Sequence, residues 1–315
     1  MIVDMHRHLW SVAERYPQVR IPGAEAGSLH AGTEDAPEPI PDLERRGAEI
    51  IAEMDEAGVD RSVIFLADYG LRLGEGTFTV EAENRLTAEL ARRHSDRLLA
   101  FLGVDPRRPG ALDLFRRGIE EWGMRGMKMH PAVGFRPSDP ECRPFFELAG
   151  RHGVPIACHT GPMVGPLLSH TCQPIYLDEM AADYPETTII MQHSGQQAWW
   201  REALNIAFWK PNVILELSMW QWAYLQDKRE FVATIARMKD TIGVERIIFA
   251  SDLPGLRRAM PLRTWVEVFR DLPALAREYG YSITDQDVRA ILGGNAARIL
   301  GLAEWDRRHA QSGSH

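Results

Sequence analysis

Two histidines, His6 and His8, directly follow a short apolar run at the start of the chain. Side chains at positions i and i+2 of a β-strand point to the same side, so these imidazoles converge at the carboxyl end of the first predicted strand. Imidazole nitrogen is a preferred ligand of Zn²⁺ and of other transition metals. The pair is therefore half of a metal site, with two surface histidines at a frayed terminus as the alternative.

Further polar residues end later apolar, β-branched runs of the chain. They are Lys128, His130, His159, His193, Glu216, Ser218 and Asp252. A buried polar side chain costs free energy unless it has a partner, so packing alone does not explain so many of them at strand ends.

The set that could bind a metal is His6, His8, His159 and Asp252. Three imidazoles and one carboxylate suit Zn²⁺ first, with Mn²⁺, Fe²⁺ or Co²⁺ as alternatives. Such an ion acidifies water, and Asp252 could carry the proton.

The elements that must position these residues alternate along the chain. Eight apolar runs cover 2–3, 62–67, 98–104, 126–130, 154–159, 188–193, 213–218 and 246–252. Helical patterns cover 43–57, 80–93, 145–152, 198–208, 231–238 and 262–269. Strands that are apolar almost throughout are buried on both faces, as in a parallel sheet. Eight of them alternating with helices predict a single (β/α)₈ TIM barrel, an α/β fold whose polar strand ends face the active site. A doubly wound open sheet would need a glycine fingerprint after strand one, and none is present.

The sequence predicts one domain over residues 1–302 and a polar C-terminal tail over 303–315. The first connection, 11–41, is long and rich in proline, glycine, alanine and glutamate. Because it follows the carboxyl end of strand one, we expect it to cover the site as a lid, with a surface insert as the alternative. Residues 283–302 are expected to form an extra closing pair of C-terminal helices.

The composition of the chain limits which binding partners and which cellular compartment we expect. The chain has 315 residues, of which 45% are hydrophobic and 25% charged, and a net charge of −8. A negative field of that size disfavours nucleic acid but leaves a small anionic substrate open, since such a substrate responds to the local site. The chain has three cysteines, and their spacing does not match that of a disulfide-bonded domain. This indicates reduced thiols and a cytoplasmic location. With no signal peptide and no apolar stretch of membrane-spanning length, we expect no membrane partner.

Five motifs in order give the chain a family resemblance. They are Asp-x-His-x-His at 4–8, Gly-x-Lys-Met-His-Pro at 126–131, His-Thr-Gly at 159–161, His-Ser-Gly at 193–195 and Ala-Ser-Asp-Leu-Pro at 250–254. This pattern resembles the amidohydrolase superfamily. More narrowly it resembles the amidohydrolase-2 branch, which contains aminocarboxymuconate semialdehyde decarboxylase and related decarboxylases, hydratases, lactonases and C–C hydrolases. The resemblance runs from residue 1 to residue 302.

The resemblance implies roles for these residues. It assigns His6, His8, His159 and Asp252 as ligands of one divalent metal, and Asp252 also as a proton acceptor. It makes His193 the catalytic residue that orients or protonates the substrate, with a second metal ligand or a structural role as alternatives. In binuclear relatives a lysine on strand four is carbamylated, whereas this branch is usually mononuclear. We therefore expect Lys128 to bind substrate, with the carbamate as the alternative. The branch is often dimeric, so a homodimer is expected.

Other substrate contacts are predicted from position. His130 shares a strand face with Lys128 and is expected either to contact substrate or to make a structural hydrogen bond. Aromatic and arginine residues follow several strand ends, and among them Trp10, Trp220 and Arg136 are the predicted contacts. Aromatic side chains favour an apolar or aromatic substrate body, and arginine favours a carboxylate.

These observations predict a metal-dependent hydrolase. It would act on a carbonyl centre (an ester, lactone, amide or C–C bond) of a small carboxylated or aromatic metabolite through activated water. The alternative is a non-oxidative decarboxylase, a lyase, of an unsaturated or aromatic carboxylic acid. Salicylate-type decarboxylases of the branch have glutamate in place of the first strand-one histidine. This chain has His6, which is closer to the pattern of the aminocarboxymuconate enzyme and of the hydrolases. The resemblance therefore disfavours an aromatic-acid decarboxylase but leaves the lyase alternative open. A binding protein that has kept the barrel but lost catalysis is a third hypothesis, and the complete ligand set argues against it.

Overall fold

The strands of the molecule are short and parallel. The computed structural model describes residues 1–17, 19 and 42–302, and within these ranges nine strands form. They are β1 (Val3–His8), β2 (Arg61–Phe65), β3 (Leu98–Ala100), β4 (Leu102–Gly103), β5 (Met127–Met129), β6 (Ile156–His159), β7 (Ile189–Gln192), β8 (Val213–Glu216) and β9 (Ile247–Ile248). The predicted tail, 303–315, lies outside the described residues.

Backbone hydrogen bonds join these strands into a closed ring. The strands pair in the order β1-β2-β3 and β4-β5-β6-β7-β8-β9, and every pairing is parallel. Strands β3 and β4 are one strand interrupted at Phe101, whose N–H donates to Ile64 O at 3.0 Å. The outer edges also meet, because His8 N donates to Leu253 O at 2.7 Å. The predicted (β/α)₈ barrel is therefore confirmed.

Helices follow the strands around the outside of the ring. They are α1 (Val12–Arg15), α2 (Leu43–Ala57), α3 (Gly70–Leu73), α4 (Val80–Arg93), α5 (Ala111–Glu120), α6 (Arg143–His152), α7 (Asp178–Asp183), α8 (Gln196–Trp209), α9 (Gln221–Gln226), α10 (Lys228–Ile242), α11 (Leu262–Tyr279), α12 (Asp285–Arg289) and α13 (Asn295–Ile299). Helix α2 begins at Asp42, whose carboxylate accepts from Arg45 N at 2.8 Å, and ends at Gly58 with φ +70°. A side-chain cap and a left-handed glycine are the signals that set such ends.

The barrel interior is a separate apolar core. Small and branched side chains from the strands fill it, among them Val3, Val63, Leu99, Ala157, Ile190, Ile214 and Ile248. At the amino end of the strands, Ala296, Leu300 and Leu302 belong to the same cluster. A Cβ on Gly293 would lie 2.2 Å from Met1 O, so the C-terminal helices approach the start of β1 closely. The expected C-terminal helices are α12 and α13, joined by a π-helical turn over Ala290–Gly294, and they close this end.

The first connection begins as ordered structure. Helix α1 starts at a capping box in which Ser11 and Glu14 bond each other's backbone N–H groups. The buried Arg15 then pairs with Glu83 on α4 at 2.8 Å. The predicted lid lies for the most part outside the described residues, since 18 and 20–41 are not among them, and it stays a prediction. None of the helices in the described ranges combines the length and the apolar character needed to cross a membrane.

Candidate metal centre

Three predicted ligands meet at the carboxyl ends of the first and last strands. The Nε2 atoms of His6 and His8 lie 3.1 and 3.2 Å from Oδ1 of Asp252, and 3.3 Å from each other. Ligand atoms about 2.0–2.2 Å from one metal ion, as is usual for zinc, stand about 3.0–3.4 Å apart in tetrahedral or octahedral arrangements. Two imidazole nitrogens and one carboxylate oxygen are also the donors that Zn²⁺, Mn²⁺ and Fe²⁺ accept. The residues present therefore fit a divalent metal.

The fourth predicted ligand, His159, stands beside this triangle. Among the described residues, the groups with all ligand atoms within 4.8 Å are His6 with His8 and Asp252, and His6 with His193 and Glu216. Neither group includes His159. Its Nε2 lies 3.3 Å from Gly161 O, and its Nδ1 lies 3.0 Å from Nε2 of His193. A carbonyl oxygen can only accept, so neutral His159 has its proton on Nε2 and a lone pair on Nδ1, the form that a metal ligand needs.

A buried carboxylate and a hydroxyl orient the rings of His6 and His193. Glu216 accepts hydrogen bonds from His193 N at 2.7 Å and from Ser218 N at 2.9 Å. Ser218 Oγ lies 2.7 Å from Nδ1 of His193, and Nδ1 of His6 lies 3.7 Å from Oε2 of Glu216. Carboxylates behind ligand histidines fix the orientation of the ring and raise the basicity of the nitrogen that faces the metal.

Asp4 positions the turn that carries Asp252. Its carboxylate accepts from Ser251 N at 2.8 Å and from Ser251 Oγ at 2.6 Å. The next residue, Asp252, has φ +57°, and its N–H donates to His6 O at 2.8 Å. A left-handed backbone is unfavourable for residues other than glycine and persists where surrounding contacts enforce it. The other described non-glycine residues with positive φ also follow strands β7 and β8, and they are His193, Ser194, Gln196 and Met219.

Burial and charge set the protonation states in the centre. Burial would raise the pKa of Asp252, but the charge of His6 and hydrogen bonds from both histidines hold that pKa well below its usual range. Burial lowers the pKa of His8 to about 4 and also holds the pKa values of His159 and His193 well below their usual range. For His6, burial is outweighed by the Asp252 carboxylate, which raises its pKa. An ionised carboxylate among mostly neutral imidazoles is ready to bind a cation.

Two predicted substrate contacts, Lys128 on β5 and His130 directly after it, lie next to this centre. Lys128 is buried, and its ammonium group donates to Gln192 Oε1 and lies 5.2 Å from the Phe65 ring centroid. Burial lowers the pKa of Lys128 to about 8. His130 stacks on His159 with ring centroids 4.4 Å apart, and its Nε2 lies 3.4 Å from the hydroxyl of Tyr69.

The loop residues predicted to contact substrate divide into two kinds. Trp220 is buried, and its indole N–H donates to His193 O at 3.0 Å, which places it behind the catalytic candidate. Trp10 stacks on Phe78 with centroids 5.9 Å apart, and Arg136 is an exposed residue whose guanidinium lies 5.2 Å from the Tyr176 ring centroid. Within the described ranges, the structure shows no hydrogen bond or ring contact between either of these two and the histidine cluster. Their roles in substrate binding stay predictions.

Sequence reasoning missed three residues that the structure brings into the site. Asp4 belongs to the first motif but received no role, Gln192 immediately precedes His193, and Tyr69 follows β2. The signal for Gln192 was present, since an amide at the end of an apolar strand needs a buried partner. Tyr69 had no local signal, because its distance from His130 depends on how the strands pair around the barrel.

Comparisons with known proteins agree with this architecture. A family model described as amidohydrolase matches residues 3–302. The chain is similar in structure to an uncharacterised TIM-barrel protein from Bordetella bronchiseptica, with 22% identity, a TM-score of 0.68, and coverage of 96% of this chain and 99% of that one. No curated protein matches the sequence.

Two further solved structures carry chemical descriptions. One is an amidohydrolase from Burkholderia multivorans with bound zinc, with 18% identity, a TM-score of 0.67, and coverage of 96% of this chain and 99% of that one. The other is 5-carboxyvanillate decarboxylase from Sphingomonas paucimobilis, with 18% identity, a TM-score of 0.62, and coverage of 95% and 98%. At these identities the likeness shows the fold.

Proposed function

The chain belongs to the amidohydrolase-2 family, and from that premise we propose that it is a metal-dependent decarboxylase of a small aromatic or unsaturated carboxylic acid. The observation that carries the metal dependence is the triangle of His6 Nε2, His8 Nε2 and Asp252 Oδ1, with sides of 3.1 to 3.3 Å. The reaction class is supported by structural neighbours such as the carboxyvanillate decarboxylase. The sequence alone predicts hydrolysis first, whereas the structural neighbours support the decarboxylase alternative better.

The metal would be held by His6, His8 and Asp252, with the lone pair of His159 Nδ1 as a fourth donor. Zinc is our first choice, because the donor set suits it and one neighbour of similar fold binds it. When bound, a divalent ion supplies a Lewis acid that polarises an oxygen of the substrate or acidifies water.

The chain's own residues handle the proton that must replace the lost carboxyl group. His193 has its Nδ1 fixed by Ser218, and its Nε2 faces the centre at 3.0 Å from His159. We assign His193 to orient the substrate by a hydrogen bond from Nε2. Asp252 is ionised, and its side chain is 18% exposed, so it can take a proton from water and pass it to the substrate carbon as the bond from that carbon to CO₂ breaks.

The test is isotope incorporation during turnover. The zinc-loaded protein is incubated in D₂O with hydroxylated benzoates and with unsaturated acids, and CO₂ and the products are measured by mass spectrometry. A decarboxylase releases CO₂ and yields a product with one deuterium on the carbon that held the carboxyl group. The same protein depleted of metal by a chelator is the control and should release none. Failure of the loaded protein to release CO₂ from any acid in the panel would overturn the proposal.

Hydrolysis is the second candidate, and one sequence feature favours it. The first ligand position is His6 rather than the glutamate of the salicylate-type decarboxylases, a histidine that the resemblance assigns to the hydrolases and also to the aminocarboxymuconate enzyme. The zinc-containing neighbour is described as an amidohydrolase. Turnover of esters and lactones in H₂¹⁸O separates the two reactions. One ¹⁸O in the acid product indicates hydrolysis, whereas decarboxylation leaves the product without it.

A further inference from the structure

A buried lysine without a carboxylate partner lies inside the ring of strands. Phe65, Lys128 and Gln192 come from the second, fourth and sixth strands of the ring, and side chains from alternate strands share a layer inside such a barrel. Lys128 is 1% exposed, and its ammonium group donates to Gln192 Oε1. No described aspartate or glutamate has an oxygen within 4.0 Å of it. A buried cation whose hydrogen-bond partner is a neutral amide is poorly compensated.

The neighbours of Lys128 add hydrogen-bond donors rather than acceptors. Because Oε1 of Gln192 accepts from Lys128, its Nε2 is the free end of the amide, and that atom is buried without a partner. Nδ1 of His130 is also buried without a partner. It is a donor in the tautomer in which the Tyr69 hydroxyl, 3.4 Å from Nε2 of the same ring, donates to that nitrogen. Buried donors without acceptors cost about 1–3 kcal/mol each. A ligand with negatively charged oxygens would satisfy this surplus of donors.

This group of donors adjoins the candidate metal centre. The Phe65 ring beneath the Lys128 ammonium has its centroid 4.9 Å from that of His6 and 5.2 Å from that of His8. The His130 ring lies 4.4 Å from His159. These ring contacts place the Lys128 ammonium one side chain away from the candidate metal ligands.

We propose that Lys128, Gln192 and His130 form a subsite for a second carboxylate of the substrate, which makes the substrate class an aromatic or unsaturated dicarboxylic acid. This inference rests on the proposed function, since it assumes an acid that loses one carboxyl group at the metal centre. In decarboxylation, negative charge moves from the departing carboxylate into the rest of the molecule. A cation bonded to that carboxylate would stabilise the reactant more than the transition state and slow the reaction. The cation is therefore better placed against a group that keeps its charge.

The test compares the binding of two probes that differ by one carboxylate. Benzoate and isophthalate are titrated calorimetrically into the zinc-loaded full-length protein. We expect isophthalate to bind at least 10-fold more tightly than benzoate. Lys128→Met should abolish that preference while changing benzoate affinity less than 2-fold. The control Lys228→Met removes a cation that lies over Tyr224, and it should keep the preference.

A second variant tests the subsite independently, in case Lys128→Met fails to fold. Gln192→Glu keeps the shape of the side chain but places a carboxylate on Lys128, so it should also abolish the preference for isophthalate. Equal affinity of the wild type for the two probes, or a preference that survives in both variants, would overturn the subsite. The readout is independent of turnover. A lysine-dependent preference for isophthalate without CO₂ release would support the subsite and contradict the decarboxylase proposal. CO₂ release without any preference would support the decarboxylase proposal and contradict the subsite.

Discussion

Nε2 of His6 lies 3.1 Å from Oδ1 of Asp252, although the two residues come from the first and the last strand of the barrel. The contact exists only because the ring closes, with Asp252 N donating to His6 O at 2.8 Å and His8 N to Leu253 O at 2.7 Å. The backbone contacts that close the ring of strands therefore also bring the candidate metal ligands together. We call the contact between β1 and residues 252–253 the seam of the barrel. A change that breaks the hydrogen bonds of this seam should disturb the metal site before it disturbs the rest of the core.

The first prediction concerns metal content. Asp252→Asn removes the charged oxygen that both histidines face, so the purified protein should contain less than a tenth of the wild-type metal by elemental analysis. Asp240→Asn, which changes an exposed carboxylate on α10, is the control and should retain the full amount. Equal metal in the two variants would show that Asp252 is not a ligand.

The stoichiometry of the same samples tests the state of Lys128. We expect about one divalent ion per wild-type chain, because Lys128 is held by Gln192 as a hydrogen-bond donor. Two ions per chain, together with an added mass of one CO₂ on the peptide that contains Lys128, would instead favour the carbamylated form and a binuclear site.

A third prediction separates catalysis from metal binding at His193. Its Nε2 faces His159, while Glu216 and Ser218 hold its backbone and its Nδ1. His193→Ala should therefore reduce kcat at least 100-fold, the order expected when a group that positions the substrate is lost, and leave metal content unchanged. Loss of metal from this variant would make His193 a ligand, in keeping with its place beside His6 and Glu216.

Trp220 offers a matched pair of variants. Its indole N–H donates to His193 O at 3.0 Å, whereas the indole nitrogen of Trp222 is buried without a described partner. Trp220→Phe should lower the free energy of unfolding by about 1 kcal/mol and reduce kcat more than it changes KM, because it releases the strained backbone at His193. Trp222→Phe loses no hydrogen bond, so its kcat should remain near that of the wild type. Similar kcat values in the two variants would contradict a positioning role for Trp220.

The barrel was predictable from the sequence because its strands are apolar throughout and recur regularly. Helices α2 and α4 were predicted with the bounds that the structure shows, since a side-chain cap begins each of them and Gly58 ends α2. Helix α5 was not predicted. It starts at Gly110 without a side-chain cap and lies between Pro109 and the short strand β5, so its local signals are weak. Helix α11 was predicted to end at Phe269 but continues to Tyr279 through the internal Pro273.

The candidate site was predictable where the residue type itself is informative. Histidine and aspartate at strand ends led to His6, His8 and Asp252, which the structure brings together. Contacts that depend on which strands are neighbours were not accessible, as with Gln192 against Lys128 and Tyr69 against His130. Arg136, whose substrate contact stays a prediction, shows a different limit of the sequence. Its position after a strand end does not fix the direction of a long side chain, and in the structure the guanidinium lies over Tyr176 on the surface.

A fifth prediction is that Lys128 reduces stability. Burial lowers its pKa from the usual 10.5 to about 8, so at pH 7 the folded protein holds a charge that the unfolded chain would solvate better. The difference corresponds to about 3 kcal/mol. Below pH 8 the lysine is charged in both states and the full cost applies; as pH rises from 8 to 10.5 only the unfolded state stays protonated, and the cost fades.

Thermal unfolding of Lys128→Met checks this sign. The variant should be more stable than the wild type at pH 7, and its advantage should shrink as pH rises through 8 to 10. Lys228→Met serves as the control because that ammonium lies in an exposed region over Tyr224 and should give no pH-dependent difference. A Lys128→Met variant that is less stable at pH 7 would show that the lysine is retained for structure rather than for a ligand.

The last prediction concerns Asp4, which contacts no candidate ligand side chain. Its two oxygens accept four hydrogen bonds, from Ser251 N and Oγ, from His6 N at 3.3 Å and from Ser62 Oγ at 3.4 Å. In Asp4→Asn an NH₂ group replaces one of the two carboxylate oxygens. It then faces donors that the oxygen had accepted from, so at least one buried donor is left without an acceptor. We expect a loss of about 2 kcal/mol in the free energy of unfolding and metal affinity about 10-fold weaker, because the turn that carries Asp252 loses its anchor.

Chelator competition and chemical denaturation measure the two effects of Asp4→Asn separately. Ser62→Ala is the matched control, because it removes only the longest of the four hydrogen bonds and should change metal affinity less than 2-fold. If Asp4→Asn lowers stability while metal affinity stays at the wild-type value, Asp4 supports the seam of the barrel but not the position of Asp252. If affinity falls and stability does not, the left-handed conformation of Asp252 depends on Asp4 directly, since the turn can relax without opening the ring.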